Sequence, residues 1–249
     1  MSTQANGHRP ASDSEYAGAA AYRLLTGCDP ADAAVEDDAS FDRHVLASIL
    51  AVAAMEDGTV AERAGLANSD LIRLIEREFP SACDLIPVWC APVDQAEDEE
   101  TAMVRDLLLA NRSADSDISR WLSAMVARRA MEPNHLWEDL GLRDREELTR
   151  LLDRHFGPIA CKNTKNMKWK RFFYRSMCED DGFLMCSTPV CTQCADFSRC
   201  YGDESGESRL AQRRRDVALK DLALKEPAVK DLAPNVNGAS RDGVLSPST

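Results

Sequence analysis

The 249-residue sequence is short of aromatic side chains, at 6%, and holds only four histidines. No lysine occurs before Lys162. No apolar run approaches the roughly 20 residues that a membrane-spanning helix needs, so no membrane association is expected. The polar stretch Met1–Ser14 carries no apolar core of a secretory signal. A cytoplasmic, reducing location is the expectation, and there thiols serve chemistry or metal more often than disulfides. With a net charge of −12 and a sequence pI near 4.9, the chain lacks the basic surface of a general nucleic-acid binder. Walker-type phosphate loops, G-x-G-x-x-G turns, G-x-S-x-G elbows and H-E-x-x-H helices are all missing, which argues against a conventional nucleotide enzyme or hydrolase.

What is present is helical patterning. Strand-like alternation is almost absent, so the fold expected is mainly α: a helical domain with a C-terminal cysteine-rich metal-cluster loop and disordered termini. Residues 1–40 read as a flexible leader with one short helix around Tyr16–Leu25, and packed structure is expected to begin at Phe41. Phe41–Met55 repeats its apolar residues at helical spacing, with Ser40 as N-cap. Thr59 and Glu62 form a capping-box pattern, and Ser69–Phe79 ends at Pro80. The stretch Pro80–Pro92 reads as a loop packed by Trp89. Glu97–Glu100 introduces a helix over Met103–Leu109, Ile118–Met131 is the next, and His135–Leu142 is a short turn. Arg145–Phe156 enters at Asp144 and stops at Gly157-Pro158. Residues 41–202 form the expected domain, with the cluster loop at 186–200. Residues 203–249, containing the near-repeat ALKDLA (Ala218–Ala223) and AVKDLA (Ala228–Ala233), read as a low-complexity tail.

The chemistry-bearing feature is a run of four thiols, Cys186, Cys191, Cys194 and Cys200, in the spacing C-x4-C-x2-C-x5-C. The opening C-x4-C-x2-C matches a plant-type ferredoxin spacing, although there the fourth ligand lies farther along. Structural zinc sites more often use two C-x2-C pairs with a long spacer, and only one such pair occurs here. The spacing therefore favours an iron–sulfur-type cluster over zinc, and either over unliganded thiols. Cys28, Cys83, Cys90 and Cys161 are dispersed and read as packing residues. Cys178 is a packing thiol or an extra ligand. His135 and His155, and still more His44 and His8, read as ordinary core or capping histidines. From Lys162 to Met177 there are six basic residues and no carboxylate. On a helix starting near Thr164, Trp169, Phe173 and Met177 make an apolar stripe, with Lys165, Lys168, Arg171 and Arg175 on an adjoining face. Such a face either docks on acidic helices of the same chain or attracts an anion.

These residues resemble the NifQ family, the molybdenum-delivery proteins of nitrogen fixation. The resemblance is carried by HLWEDLGL (His135–Leu142), RDREELTRLL (Arg143–Leu152), His155–Pro158, NTKNMKWKRFFYRSMCEDDGF (Asn163–Phe183) and the four-cysteine array followed by Tyr201-Gly202. It implies a carrier and not an enzyme: a protein holding a molybdenum–iron–sulfur cluster on Cys186, Cys191, Cys194 and Cys200. That carrier donates molybdenum for iron–molybdenum cofactor biosynthesis. Molybdate is then the metal source. The nitrogenase iron protein and the cofactor-assembly scaffold complex are the implied recipients. An iron–sulfur electron-transfer protein and a zinc-stabilised interaction module are the alternatives.

Overall fold

The computed structural model describes residues 13–90, 96–180, 215–217 and 219. Among the described residues every regular element is helical. They are α1 (Asp13–Thr26), α2 (Asp38–Ala53), α3 (Val60–Ala64), α4 (Asn68–Glu78), α5 (Ile86–Trp89), α6 (Glu99–Ala110), α7 (Asp117–Ala130), α8 (Leu136–Asp139), α9 (Arg145–His155), α10 (Gly157–Ala160) and α11 (Trp169–Asp180). Two 3-10 turns, Pro30–Asp32 and Pro80–Leu85, join them. None of the described helices is long and apolar enough to cross a membrane.

The start signals explain most helix entries. Thr59 accepts the backbone N–H of Glu62 while the Glu62 carboxylate accepts that of Thr59, so α3 opens on the expected capping box. Asp98 caps α6 through Thr101, and Asp144 caps α9 through Glu146 and Glu147. Three expectations shift. The cap of α2 is Asp37, whose carboxylate takes the N–H groups of Ala39 and Ser40, and Ser40 lies inside the helix. Gly157-Pro158 does not simply end α9. The chain turns at Phe156 and Pro158 opens α10, because proline's fixed φ suits a first helical turn. The stretch read as a loop before residue 91 is likewise wound into a 3-10 turn and α5, with Trp89 buried as expected.

The core is built around α2 and α7. Phe41, Leu46, Ile49 and Leu50 of α2 and Leu122, Met125 and Val126 of α7 are all buried in one core, with α3 against both helices, α6 against α7, and α9 joined to both through His155. Packed structure begins earlier than Phe41. Helix α1 lies on α2 with Tyr22 and Leu25 each only 1% exposed, so the segment read as leader contributes to the core. Its Ala-rich sequence gave a weak apolar period, and helix propensity was the usable signal. After α8 the chain reverses at Gly141, with φ +68°. A Cβ there would stand 2.5 Å from Val52 Cγ2 and 2.9 Å from the Ser48 carbonyl, so only glycine fits the turn against α2.

Long-range polar contacts stitch the helices together. Arg129, 2% exposed, gives two hydrogen bonds to the Glu56 carboxylate (2.7 and 2.9 Å) and one to the Asp139 carbonyl (2.7 Å). Ser116 donates to Ser119 (2.9 Å), Ser119 to His155 Nδ1 (3.1 Å), and His155 Nε2 to Asp42 (2.9 Å). Arg154 forks onto the same carboxylate. The order serine–histidine–aspartate is that of a hydrolase relay. Here Ser119 is 1% exposed between α7 and α9, beyond the reach of a substrate, and the relay ties α2, α7 and α9.

Candidate metal centre and the helix leading to it

The four-cysteine array lies outside the described residues, as does the side chain of Cys178, whose backbone belongs to the last turn of α11. What the structure provides is the helix that precedes the array. Trp169, Phe172 and Phe173 are buried, Phe173 completely, and Met177 packs beside them. The predicted stripe of Trp169, Phe173 and Met177 therefore faces the core. Phe172, which the four-residue spacing missed, packs edge-on to Trp169 with ring centroids 5.8 Å apart.

Lys170 ties this helix to the helical body. Lys170 Nζ donates to Asp139 Oδ2 at 2.5 Å and to the Glu132 carbonyl. Asn134 holds the other Asp139 oxygen at 3.0 Å. Burial pulls the Lys170 ammonium below its ordinary pKa, and the Asp139 carboxylate opposes that shift. Asp139 thus joins α11 to α7, since its own carbonyl receives Arg129. Lys170, which lies off the face of four basic residues, thus takes part in the docking foreseen for the basic helix.

Helix α11 starts at Trp169, five residues later than the expected Thr164. The Asn163 side chain receives the Met167 N–H (2.8 Å) and donates to its carbonyl (3.0 Å). Asn166 takes a left-handed φ of +49°. Arg145 of α9 grips the same turn through the Asn166 and Met167 carbonyls and the Asn166 side chain. These local bonds outcompete the helix. As a result Lys165, Lys168, Arg171 and Arg175 do not share one helical face. Lys168 Nζ stands 3.3 Å from His135 Nε2. Lys165 and Arg175, joined by Lys162, line a separate cleft of about 200 Å3 between α6, α10 and α11. Arg171 is half-buried on α11 away from that lining.

The histidines and cysteines read as core, capping or packing residues are placed as follows. His155 has both ring nitrogens engaged by Ser119 and Asp42. His44 receives the Tyr22 hydroxyl at 2.7 Å and approaches Glu147 at 3.3 Å. Burial, aided by the nearby Cys28, pushes the Tyr22 hydroxyl up to about 12. Cys28, Cys83 and Cys90 pack half-buried against the core, whereas Cys161, expected to be a packing residue, is exposed. Among the described residues no cluster of three or more His, Cys, Asp and Glu side chains is arranged to hold a metal ion.

Comparison with known proteins was decisive at the family level. The NifQ family model matches residues 45–202, a span that takes in α11 and all four array cysteines. The chain is 39% identical over 172 residues to a NifQ homolog of Sinorhizobium fredii, covering 68% of this chain and 75% of that protein. It is 35% identical over 160 residues to NifQ of Rhodobacter capsulatus, covering 64% and 87%. It is 42% identical over 106 residues to NifQ of Azotobacter vinelandii, covering 43% and 54%. No solved structure matches.

Proposed function

The chain belongs to the NifQ family, with a role in nitrogen fixation and molybdenum-related cofactor biosynthesis, and from that premise we propose that it is a metal-cluster carrier. In this reading Cys186, Cys191, Cys194 and Cys200 hold a molybdenum–iron–sulfur cluster as cargo, and molybdenum drawn from molybdate is passed on for iron–molybdenum cofactor assembly. The recipients are the nitrogenase iron protein and the cofactor scaffold complex, and the carrier works in the cytoplasm.

The observation that supports this most is the array itself, four thiols within fifteen residues that fall inside the family span. Thiolates and sulfides are soft donors that hold iron firmly and accept molybdenum once it has left its hard oxyanion form. Helix α11 contributes what a carrier needs beside such a loop. Its apolar side and the Lys170–Asp139 pair fix one end of the cysteine segment to the helical body.

One anaerobic preparation tests the reading. After loading with iron, sulfide and molybdate, the protein is expected to be brown, with iron, sulfide and molybdenum retained through gel filtration. Iron without molybdenum would point to electron transfer, and stoichiometric zinc in a colourless protein to a structural module. Either result overturns the proposal.

A further inference from the structure

The cleft between α6, α10 and α11 brings Lys162, Lys165 and Arg175 together among its described lining residues. Buried Ile159 and Phe172 form its floor, and the exposed Lys162, Thr164 and Lys165 stand at its mouth with Arg175 on the α11 side. None of its described lining residues is a carboxylate. Its volume of about 200 Å3 lies below the roughly 300 Å3 at which pockets begin to enclose organic ligands of drug size. It is nevertheless many times what one water requires. The mouth is also pre-set. The clamps from Asn163 and Arg145 fix the turn that carries Lys162, Thr164 and Lys165, so less order remains to be imposed on binding.

We propose that this cleft binds a small tetrahedral oxyanion through Lys162, Lys165 and Arg175, with the Thr164 hydroxyl as a further donor. Three cations approaching from two chain segments suit an ion with several acceptor oxygens and two negative charges. A carboxylate, with two oxygens and one charge, engages fewer of them. The apolar floor removes water from one side and strengthens the attraction relative to an open surface. The site is separate from the cysteine array. As an entry point for molybdate it rests on the carrier reading given above, while anion binding as such does not depend on it.

The test uses the full-length protein and calorimetric titration with molybdate, tungstate, sulfate or phosphate, each alone, and with nitrate as the planar, singly charged comparison. Molybdate is expected to bind with an affinity that falls as ionic strength rises, and nitrate is expected not to compete. Lys162→Gln/Lys165→Gln should weaken binding about tenfold or more, as the loss of two charged contacts implies, and Lys162→Arg/Lys165→Arg should restore it. Arg73→Gln/Arg120→Gln removes the same charge from exposed positions on α4 and α7 and should leave binding unchanged. The sulfate and phosphate arms show which members of the class the cleft accepts. Equal affinity in the Lys→Gln variant, equal loss in the Arg→Gln variant, or equal competition by nitrate overturns the assignment. Iron and sulfide analysis of the same samples separates the two ideas. A cluster-bearing protein with unchanged anion affinity in Lys162→Gln/Lys165→Gln defeats the cleft alone. Oxyanion binding that is lost in that variant, in a protein holding no iron, defeats the carrier reading alone.

Discussion

The helical body and the C-terminal end of the chain use positive charge in opposite ways. Up to residue 160 there are fifteen arginines, no lysine and thirty acids, a net charge of −15; from 161 onward fifteen basic residues face twelve acids, a net of +3. In the body arginines are cross-links. Arg129 reaches Glu56, Arg154 reaches Asp42 and Asp38, and Arg143 reaches the carbonyls of Pro30 and Ala33. A planar fork with five donors suits such bridging better than an ammonium does. Beyond residue 160, Lys170 is the deeply placed lysine, while Lys162 and Lys165 stand in solvent around a cleft. The overall charge of −12 describes neither region. In the body charge cross-links helices, whereas at Lys162 and Lys165 it stands at the mouth of a cleft.

The buried apolar side of α11 joins the two regions beside the Lys170–Asp139 pair, and Phe173→Ala should have the largest effect. Removing a completely buried ring should cost about 4 kcal/mol of unfolding free energy in urea. A loss below about 1 kcal/mol would mean that α11 is not part of the core. Arg129→Met comes next, at about 3 kcal/mol, because it leaves the Glu56 carboxylate and the Asp139 carbonyl without their shared donor; the partial exposure of Glu56 keeps the cost at the lower end for a broken buried pair. If the methionine variant were as stable as the parent, the arginines would not be the cross-links described here.

A smaller effect is expected from acid. Burial raises the Asp42 carboxyl, but hydrogen bonds from His155 and Arg154 outweigh it and hold the group below the usual carboxylate range. Glu147 behaves likewise, with burial opposed by His44 and the Arg143 N–H. Both groups are lower in the folded state than in the unfolded one. Their contribution is therefore complete above the unfolded carboxylate pKa of about 4 and disappears as pH falls through the folded values. The melting temperature should decline below about pH 5, and Asp42→Asn should flatten that decline. An unchanged slope in the variant would remove Asp42 from the account.

Local signals in the sequence located the helices and failed where distant partners decide. The Thr59–Glu62 box, the Asp144 cap and the apolar faces of α2 and α7 are readable because each depends on neighbours within a turn or two. Helix α11 starts later than its local pattern suggests because the Asn163 side chain bonds to the Met167 backbone, Asn166 takes a left-handed φ, and Arg145, twenty-one residues from Asn166, secures the turn. The relay from Ser119 through His155 to Asp42 spans 113 residues between its last two members, a pairing that spacing does not encode. The basic face divided for the same reason: a late helix start rotated Lys165 away from Lys168 and into a cleft with Arg175. The proposed metal site is read from spacing alone. The array is legible in the sequence as four thiols at close spacing, and it lies outside the described residues.

The most direct test of the central claim compares metal content in the full chain and in variants with Cys186, Cys191, Cys194 or Cys200 replaced by alanine, loaded anaerobically under identical conditions. The account predicts that each replacement removes most of the iron and molybdenum while the thermal unfolding of the helical body is unchanged. Full retention of both metals in all four variants, with the body intact, would contradict it.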